Sequence, residues 1–380
     1  MQYTEYELGE LLPFEQPTAY IVKSTDYNDS YSTPVLTAGK SFILGKTNEK
    51  YGIFDQLPVI IFDDFTTATQ FVNFKFKVKS SAMKILHINT ALVMPKYIFY
   101  RLQIIQFDHS THKRYWIQSY SKIKVSIPSL DEQSRIVSRI DELFSELDKA
   151  VDTLNTTKEQ LAVYRQAVLK DAFSNIPREM YKPLKLVMEE MPQNGLYKSK
   201  SFYGEGNPIL RIDGFYDGEV VPNYEYKRVR LEAEEIKKYA LHIGDIVVNR
   251  VNSMSYLGKC ALIRNLEEPT IFESNVMRFR LDKQQIDLEY AMYYLSTSFG
   301  RHELIKNAKQ AVNQASINQT DVGNALIPIP KDLEAQRNIA QKISAHIAVC
   351  NNIEQGIDTA FAQADAMRQS ILKQSFEGKF

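Results

Sequence analysis

The residues of this chain that could do chemistry at a phosphate are Gly39-Lys40-Ser41, followed by the apolar and acidic run Val59-Ile60-Ile61-Phe62-Asp63-Asp64. Together they imitate a phosphate-binding loop with its acidic strand. Such a loop needs a glycine five residues before the Gly-Lys pair, so that backbone amides can cradle phosphate. Pro34 holds that place here, and Lys40 holds it for the second candidate, Gly45-Lys46-Thr47. Phe42-Ile43-Leu44-Gly45 is also a poor helix start, which argues against nucleotide hydrolysis. Methyl transfer to an amino group would need an Asn/Asp-Pro-Pro-aromatic motif and a glycine-rich cofactor loop, and the sequence has neither. It also lacks an Asp…Glu/Asp-x-Lys nuclease constellation and a zinc-spaced His/Cys set. The expectation is a chain that catalyses nothing itself and holds neither metal nor cofactor.

Binding chemistry is better represented. Asp63-Asp64-Phe65-Thr66-Thr67-Ala68-Thr69-Gln70 offers Thr66, Thr67 and Thr69, and Lys113-Arg114-Tyr115-Trp116-Ile117-Gln118 offers Arg114, Trp116 and Gln118. Further on, Tyr197-Lys198-Ser199-Lys200 offers Lys198 and Lys200. Asn249-Arg250-Val251-Asn252-Ser253 offers Asn249, Arg250, Asn252 and Ser253, and Lys309-Gln310-Ala311-Val312-Asn313-Gln314 offers Asn313 and Gln314. Lys40, Arg211 and Lys259 join the set. These are the residue types that pair with base edges and phosphates, although any one segment alone is only a polar loop. Residues 71–79 alternate strictly, with Lys75, Lys77 and Lys79 on one face and Phe74, Phe76 and Val78 on the other. That lysine comb is either a solvated face that blunts aggregation or a face for phosphates. Asn249, Arg250 and Asn252 are the favoured readers of the second half, because they follow a buried strand at a turn.

The elements that must position these residues come in duplicate. Gln133-Ser-Arg-Ile-Val-Ser-Arg-Ile140 aligns without a gap on Gln336-Arg-Asn-Ile-Ala-Gln-Lys-Ile343. The closing runs Tyr164-Arg-Gln-Ala-Val-Leu-Lys-Asp-Ala-Phe173 and Met367-Arg-Gln-Ser-Ile-Leu-Lys-Gln-Ser-Phe376 align at the same offset. The chain therefore reads as globular unit, long helix, globular unit, long helix, with bounds at 1–127, 128–178, 179–330 and 331–380. Steps of four and three mark a seam at Ile136, Ile140, Leu143, Leu147, Ala150, Leu154, Thr157, Leu161, Tyr164 and Val168. The offset gives a second seam at Ile339, Ile343, His346, Cys350, Ile353, Ile357, Ala360, Ala364, Met367 and Ile371. Each helix is expected to run roughly 40 residues, or about 60 Å. Neither buries its stripe alone, so the two are expected to pair as an intramolecular coiled coil; two separate amphipathic helices are the plainer alternative. Ser129 or Asp131, and Asp332, are the candidate N-caps.

Within the units, 59–62, 208–212 and 246–248 read as strands, and 95–103 and 287–297 as helices. Pro34-Val35-Leu36 parallels Pro208-Ile209-Leu210, and the run 59–63 parallels 246–250, so the scaffold repeats while its surface residues differ. Net charge is +0, which argues weakly against nucleic-acid binding. That sum conceals a first unit of about +3 and a first helix of about −2. Two cysteines far apart imply no disulfide framework or cysteine metal site, and no apolar run approaches the ~20 residues of a membrane span. With no basic-then-apolar leader at Met1, a cytoplasmic protein is expected.

The whole pattern resembles the DNA-specificity subunit of a type I restriction-modification system. The likeness rests on the repeated Ile-Pro-x-x-x-(x)-Glu/Ala-Gln-x-x-Ile-(x)3-Ile opening and the Arg-Gln-x-x-Leu-Lys-x-x-Phe close. Thr33-Pro-Val-Leu-Thr-Ala-Gly-Lys40, Val59-Ile-Ile-Phe-Asp-Asp-Phe65 and Phe76-Lys-Val-Lys-Ser-Ser-Ala-Met83 add to it. One departure is Ala335, which stands where Glu132 stands in the first repeat. The resemblance implies an α+β chain: two α/β target-recognition domains and two long helices forming an antiparallel spacer. Each domain would read one half of a split DNA site. Two modification subunits would dock on the helices, bring S-adenosylmethionine and methylate adenine, and restriction subunits could join them. Ile136, Ile140, Leu143, Leu147, Leu154, Leu161, Ile339, Ile343, Ile353, Ile357, Met367 and Ile371 would form the spacer and docking surface. A coiled-coil adaptor that never touches DNA is the competing expectation.

Overall fold

Two helices dominate the computed structural model, which describes residues 3–37, 41–108, 114–312 and 314–378. They span Leu130–Ser174 and Leu333–Phe376, 45 and 44 residues long. Asp131 and Glu132 lie in the first turn of one and Glu334 in that of the other, where negative charge complements the helix dipole. Asp332 caps the second helix, its Oδ1 accepting from Glu334 N at 2.8 Å. The first begins directly after Ser129, whose carbonyl accepts from Gln133 N at 3.0 Å.

The chain divides into one unit of Met1–Asn155 with Asp358–Phe380, and a second of Thr156–Ile357. Each contains a half of both long helices. In the second unit Arg165 reaches Asn351 and Glu354, both at 2.7 Å, while Phe173 shares a buried cluster with Ala340 and Ile343. In the first unit Asp148 pairs with Arg368, while Val137 and Ile140 share a cluster with Leu372. Rising numbers on one helix meet falling numbers on the other, so within each unit the helix halves are antiparallel.

Most of the expected seam holds, with Cys350 and Ala364 also buried, and five of its positions turn outward. Ile140, Leu147, Leu161, Ile343 and Ile357 are buried as expected, and Ile136, Leu143, Leu154, Ile339 and Ile371 are half-buried. Ile353 and Met367, however, are 42% and 54% exposed, and Ala150, Tyr164 and His346 also face outward. Val137, Phe144, Val151, Arg165, Ile347, Glu354 and Arg368 turn inward instead. The cause is local ambiguity. Ile136-Val137, Leu143-Phe144 and Ala150-Val151 are adjacent apolar pairs, so apolarity alone fits two phases. Arg165 and Arg368 widen the stripe, their part-buried stems lying along it while their guanidinium groups pair with Glu354 and Asp148.

The two units repeat one scaffold. The first has a four-stranded antiparallel sheet in the order Phe14–Glu15, Met83–His87, Val59–Asp63, Thr69–Val72. The second has Met188–Asn194, Val276–Leu281, Asp245–Asn249, Cys260–Leu262 in the same order. The central strands Val59–Asp63 and Asp245–Asn249 are buried along their whole length, as their apolar runs demand. In smaller sheets Thr33–Leu36 runs parallel to Lys77–Val78, and Tyr203–Leu210 runs parallel to Ile271–Phe272. This bears out the kinship of Pro34-Val35-Leu36 with Pro208-Ile209-Leu210. A ribbon closes each repeat, Thr4–Glu7 with Lys124–Ile127 and Tyr181–Pro183 with Leu326–Pro328. Helices Pro95–Leu102 and Leu288–Leu295 occupy equivalent places, the latter capped by Asp287 Oδ1 accepting from Tyr290 N at 3.0 Å.

The expected single strand over 71–79 does not form. Thr69–Val72 and Lys77–Val78 belong to different sheets, and Phe76, Lys77 and Val78 are all buried. Among the described residues no helix is long and apolar enough to cross a membrane.

Candidate nucleic-acid interface

In the first unit two of the polar segments come together. The loop after Val59–Asp63 is held by Asp63, whose Oδ1 accepts from Phe65 N at 2.8 Å and Thr66 N at 3.3 Å. Backbone bonds Thr67 N to Asp63 O and Asp63 N to Ala68 O close the turn, with Thr67 at φ 58°. A β-branched residue there is strained, and it persists because these bonds over-determine the turn. The result is a rigid tip presenting Phe65, 48% exposed, beside Thr66. Asp64 binds the second segment to it: Trp116 N donates to Asp64 Oδ1 at 2.8 Å, and Tyr115 N to the Asp64 carbonyl at 3.0 Å. Lys84 Nζ faces the same carboxylate at 3.4 Å, and both side chains are almost wholly buried. Arg114, Ile117 and Gln118 are left exposed next to the tip.

A sheet makes the equivalent junction in the second unit. Val251–Asn252 pairs with Gln314–Ser316, which pairs with Lys309–Ala311. Asn252, Ala315 and Gln310 are abreast, so residues far apart in sequence share one surface. Lys309, Gln310 and Gln314 are exposed; Asn252 and Ser253 are half-buried. Arg250 roots this sheet. Its backbone N donates to Asn275 O at 2.9 Å, and its carbonyl accepts from Ile317 N at 2.9 Å. Its guanidinium donates to the Ser274 carbonyl at 2.9 Å, and its buried Nε has no partner among the described residues. Burial alone pulls its pKa below the ordinary arginine value. No carboxylate among the described residues forms an ion pair with it, which leaves a partly desolvated cation suited to an external acceptor.

Other expected contacts are corrected by burial. Trp116 is 1% exposed and packs on Phe62 and Tyr120, because the short helix Tyr115–Gln118 turns it into the core. Lys77 is buried, its ammonium donating to Tyr51 O at 2.6 Å and pairing with Glu49 at 3.2 Å, so the comb loses its middle tooth. Lys75 remains exposed, near Asp55 at 3.5 Å. Asn249 is fully buried at the end of its strand and donates to Ile212 O at 3.4 Å. Thr69 is buried, accepting from Gln103 Nε2 at 2.5 Å. Lys198 pairs with Glu235 at 2.7 Å and Arg211 with Glu273 at 3.1 Å, which ties both to their own domain. Lys259 Nζ stands 5.1 Å from the rings of both Tyr216 and Tyr256. Lys200 is exposed. Lys40 and Asn313 lie outside the described residues.

Sequence reasoning missed Asp64 and Lys84 as the pin beneath the first site. The available signal was a lysine inside the apolar strand Met83-Lys84-Ile85-Leu86. It also missed Phe65, Met254 and Tyr256, large side chains exposed on the loops that follow the two central strands.

Comparison with known proteins matches residues 2–161 and 187–360 to the type I restriction modification DNA specificity domain. The specificity subunit of the type I restriction enzyme EcoR124I/EcoR124II of Escherichia coli is 31% identical over 373 residues, covering 92% of this chain and 88% of that one. The EcoKI specificity subunit of Escherichia coli K12 is 26% identical, covering 69% of this chain and 58% of its own length. A solved chain from work on complex assembly and conformational transition of the type I R-M system shares the fold, with a TM-score of 0.67. It has 16% identity and coverage of 98% and 97%. None of these relatives supports the adaptor alternative.

Proposed function

This chain belongs to the type I restriction-modification DNA specificity family, and on that premise we propose that it reads a duplex site in two halves, one per unit, and brings methyltransferase subunits to it. The observation that carries this is one scaffold bearing two different loops. The central strands are equivalent, but the first leads into the tight turn of Phe65, Thr66 and Thr67. The second leads into the three-stranded sheet of Asn252, Gln314 and Gln310. Equal scaffolds with unequal tips suit two different half-sites. Arg250, Asn252, Ser253 and Gln314 in one unit, and Thr66, Thr67, Arg114 and Gln118 in the other, offer donors and acceptors to base edges. Lys200 is exposed to meet a phosphate, and Lys75, exposed in a surface pair with Asp55, would exchange that partner for one.

Tyr164 and Met367 occupy equivalent positions, both exposed, and each precedes an arginine drawn into the helix pair. Two matching outward apolar positions suit two copies of one partner, the modification subunit. That partner would supply S-adenosylmethionine and the pocket for a flipped adenine, while this chain supplies binding and register. Restriction subunits would join the same assembly.

The test is to graft another member's residues 1–127 onto this chain and map the methylated motif in the host. One half of the motif should change while the other stays. A change in both halves, or in neither, refutes reading by separate units.

A further inference from the structure

We propose that Gln133 and Gln336 are positioning residues that fix the angle at which each recognition domain leaves its long helix, and thereby help to set the number of base pairs between the half-sites. The proposal rests on the two-half reading above. Both side chains are fully buried in the first turns of the long helices. Gln133 Oε1 accepts from Met94 N at 2.7 Å, and its Nε2 donates to Leu92 O at 3.2 Å and Pro128 O at 2.9 Å. Gln336 Oε1 accepts from Asp287 N at 2.8 Å, and its Nε2 donates to Gln285 O at 3.3 Å and Pro330 O at 2.9 Å.

The two sets match bond for bond. Met94 and Asp287 are the N-cap residues of the equivalent helices Pro95–Leu102 and Leu288–Leu295. Each glutamine thus ties the start of a domain helix, the loop before it and the chain leading into the long helix. The second repeat has one more residue between that proline and the glutamine, yet the bond pattern is the same. One acceptor and two donors on a single side chain is the chemistry of a primary amide; glutamate has no donor to offer. In the first repeat a second tether lies further along the same helix, where Tyr100 Oη donates to Asp141 at 2.5 Å. That domain is held to its helix at two points, which opposes swivelling.

The experiment uses the full chain assembled with its methyltransferase partner. Gln133→Met and Gln336→Met keep the volume and remove all three bonds. Gln133→Asn and Gln336→Asn keep the amide but fall one methylene short, and provide milder variants should the methionines fail to fold. Methylation is compared on duplexes with the natural gap, with one base pair more or fewer, and with one half-site scrambled. A folded variant should still reject the scrambled half-site, while its preference for the natural gap falls by at least about tenfold, the worth of several lost hydrogen bonds. A folded variant that keeps the unaltered chain's gap preference overturns the proposal. If the unaltered chain itself methylates the scrambled duplex equally well, the two-half reading fails instead.

Discussion

Replacing Asp64 by asparagine should cost the first unit far more than its small chemical change suggests. The carboxylate is 2% exposed and faces Lys84 Nζ, itself 1% exposed and without a hydrogen-bond partner among the described residues. Asparagine can still accept from Trp116 N, so the local backbone bond survives. What remains is a buried ammonium with no counter-charge among the described residues. Breaking one side of such a pair costs about 3–5 kcal/mol. For a unit of this size that lowers Tm by roughly 6–20 °C. Lys84→Met strands the carboxylate and should cost a similar amount, eased by the bond from Trp116 N. The double variant Asp64→Asn/Lys84→Met removes both charges at nearly constant volume, and should lie within about 1 kcal/mol of the parent. Calorimetry on all four proteins closes the cycle, with binding to each half-site measured in parallel. Asp64→Asn should loosen the 114–118 segment and weaken reading of one half-site only. If the two single costs simply add in the double variant, the pair is not coupled and the account of this loop is wrong.

Arg250→Ala should bring specific binding closer to non-specific binding, by about 1–3 kcal/mol if it contacts a guanine edge. Equal loss on cognate and scrambled duplexes, or unfolding of the second unit, would rule it out as a reader. Lys75→Ala should weaken binding evenly across sequences and flatten the salt dependence by roughly one unit, as a phosphate contact would. A sequence-dependent loss would argue otherwise. Leu147→Asp puts a charge into the seam and should cost several kcal/mol. Ile353→Asp, at an exposed position, should stay within about 0.5 kcal/mol, and comparable melting losses for the two would refute the observed phase.

The duplication was legible because helix signals are local: caps, stripe and closing motif all lie within one continuous segment. Most of the stripe was legible too, but its edges were not, because in pairs such as Leu143-Phe144 both residues are half-buried, and Arg165 and Arg368 enter it through acids far away in sequence. The 71–79 alternation failed for a related reason. Period two says nothing about which sheet a residue joins, and here it covers two strands of different sheets. Loop segments were found by their composition, but their side-chain directions were not: one turn of helix sends Trp116 inward and leaves Gln118 outside. The meeting of Asn252 with Ala315 depends on strand pairing across more than sixty residues, which no local pattern records.

Trp116 is the sole tryptophan of the chain. It sits in the first unit against Phe62 and Tyr120, and its own backbone N–H is bound by Asp64 at the base of the tip. Two near-repeats would ordinarily give overlapping optical signals, but here indole emission comes from one of them alone. A shift of that emission on adding a duplex reports the first unit and its loop, while the second stays dark. A tryptophan introduced at exposed Met254, on the loop after the second central strand, in a Trp116→Phe background would give the converse view, so that occupancy of each half could be followed in real time by light.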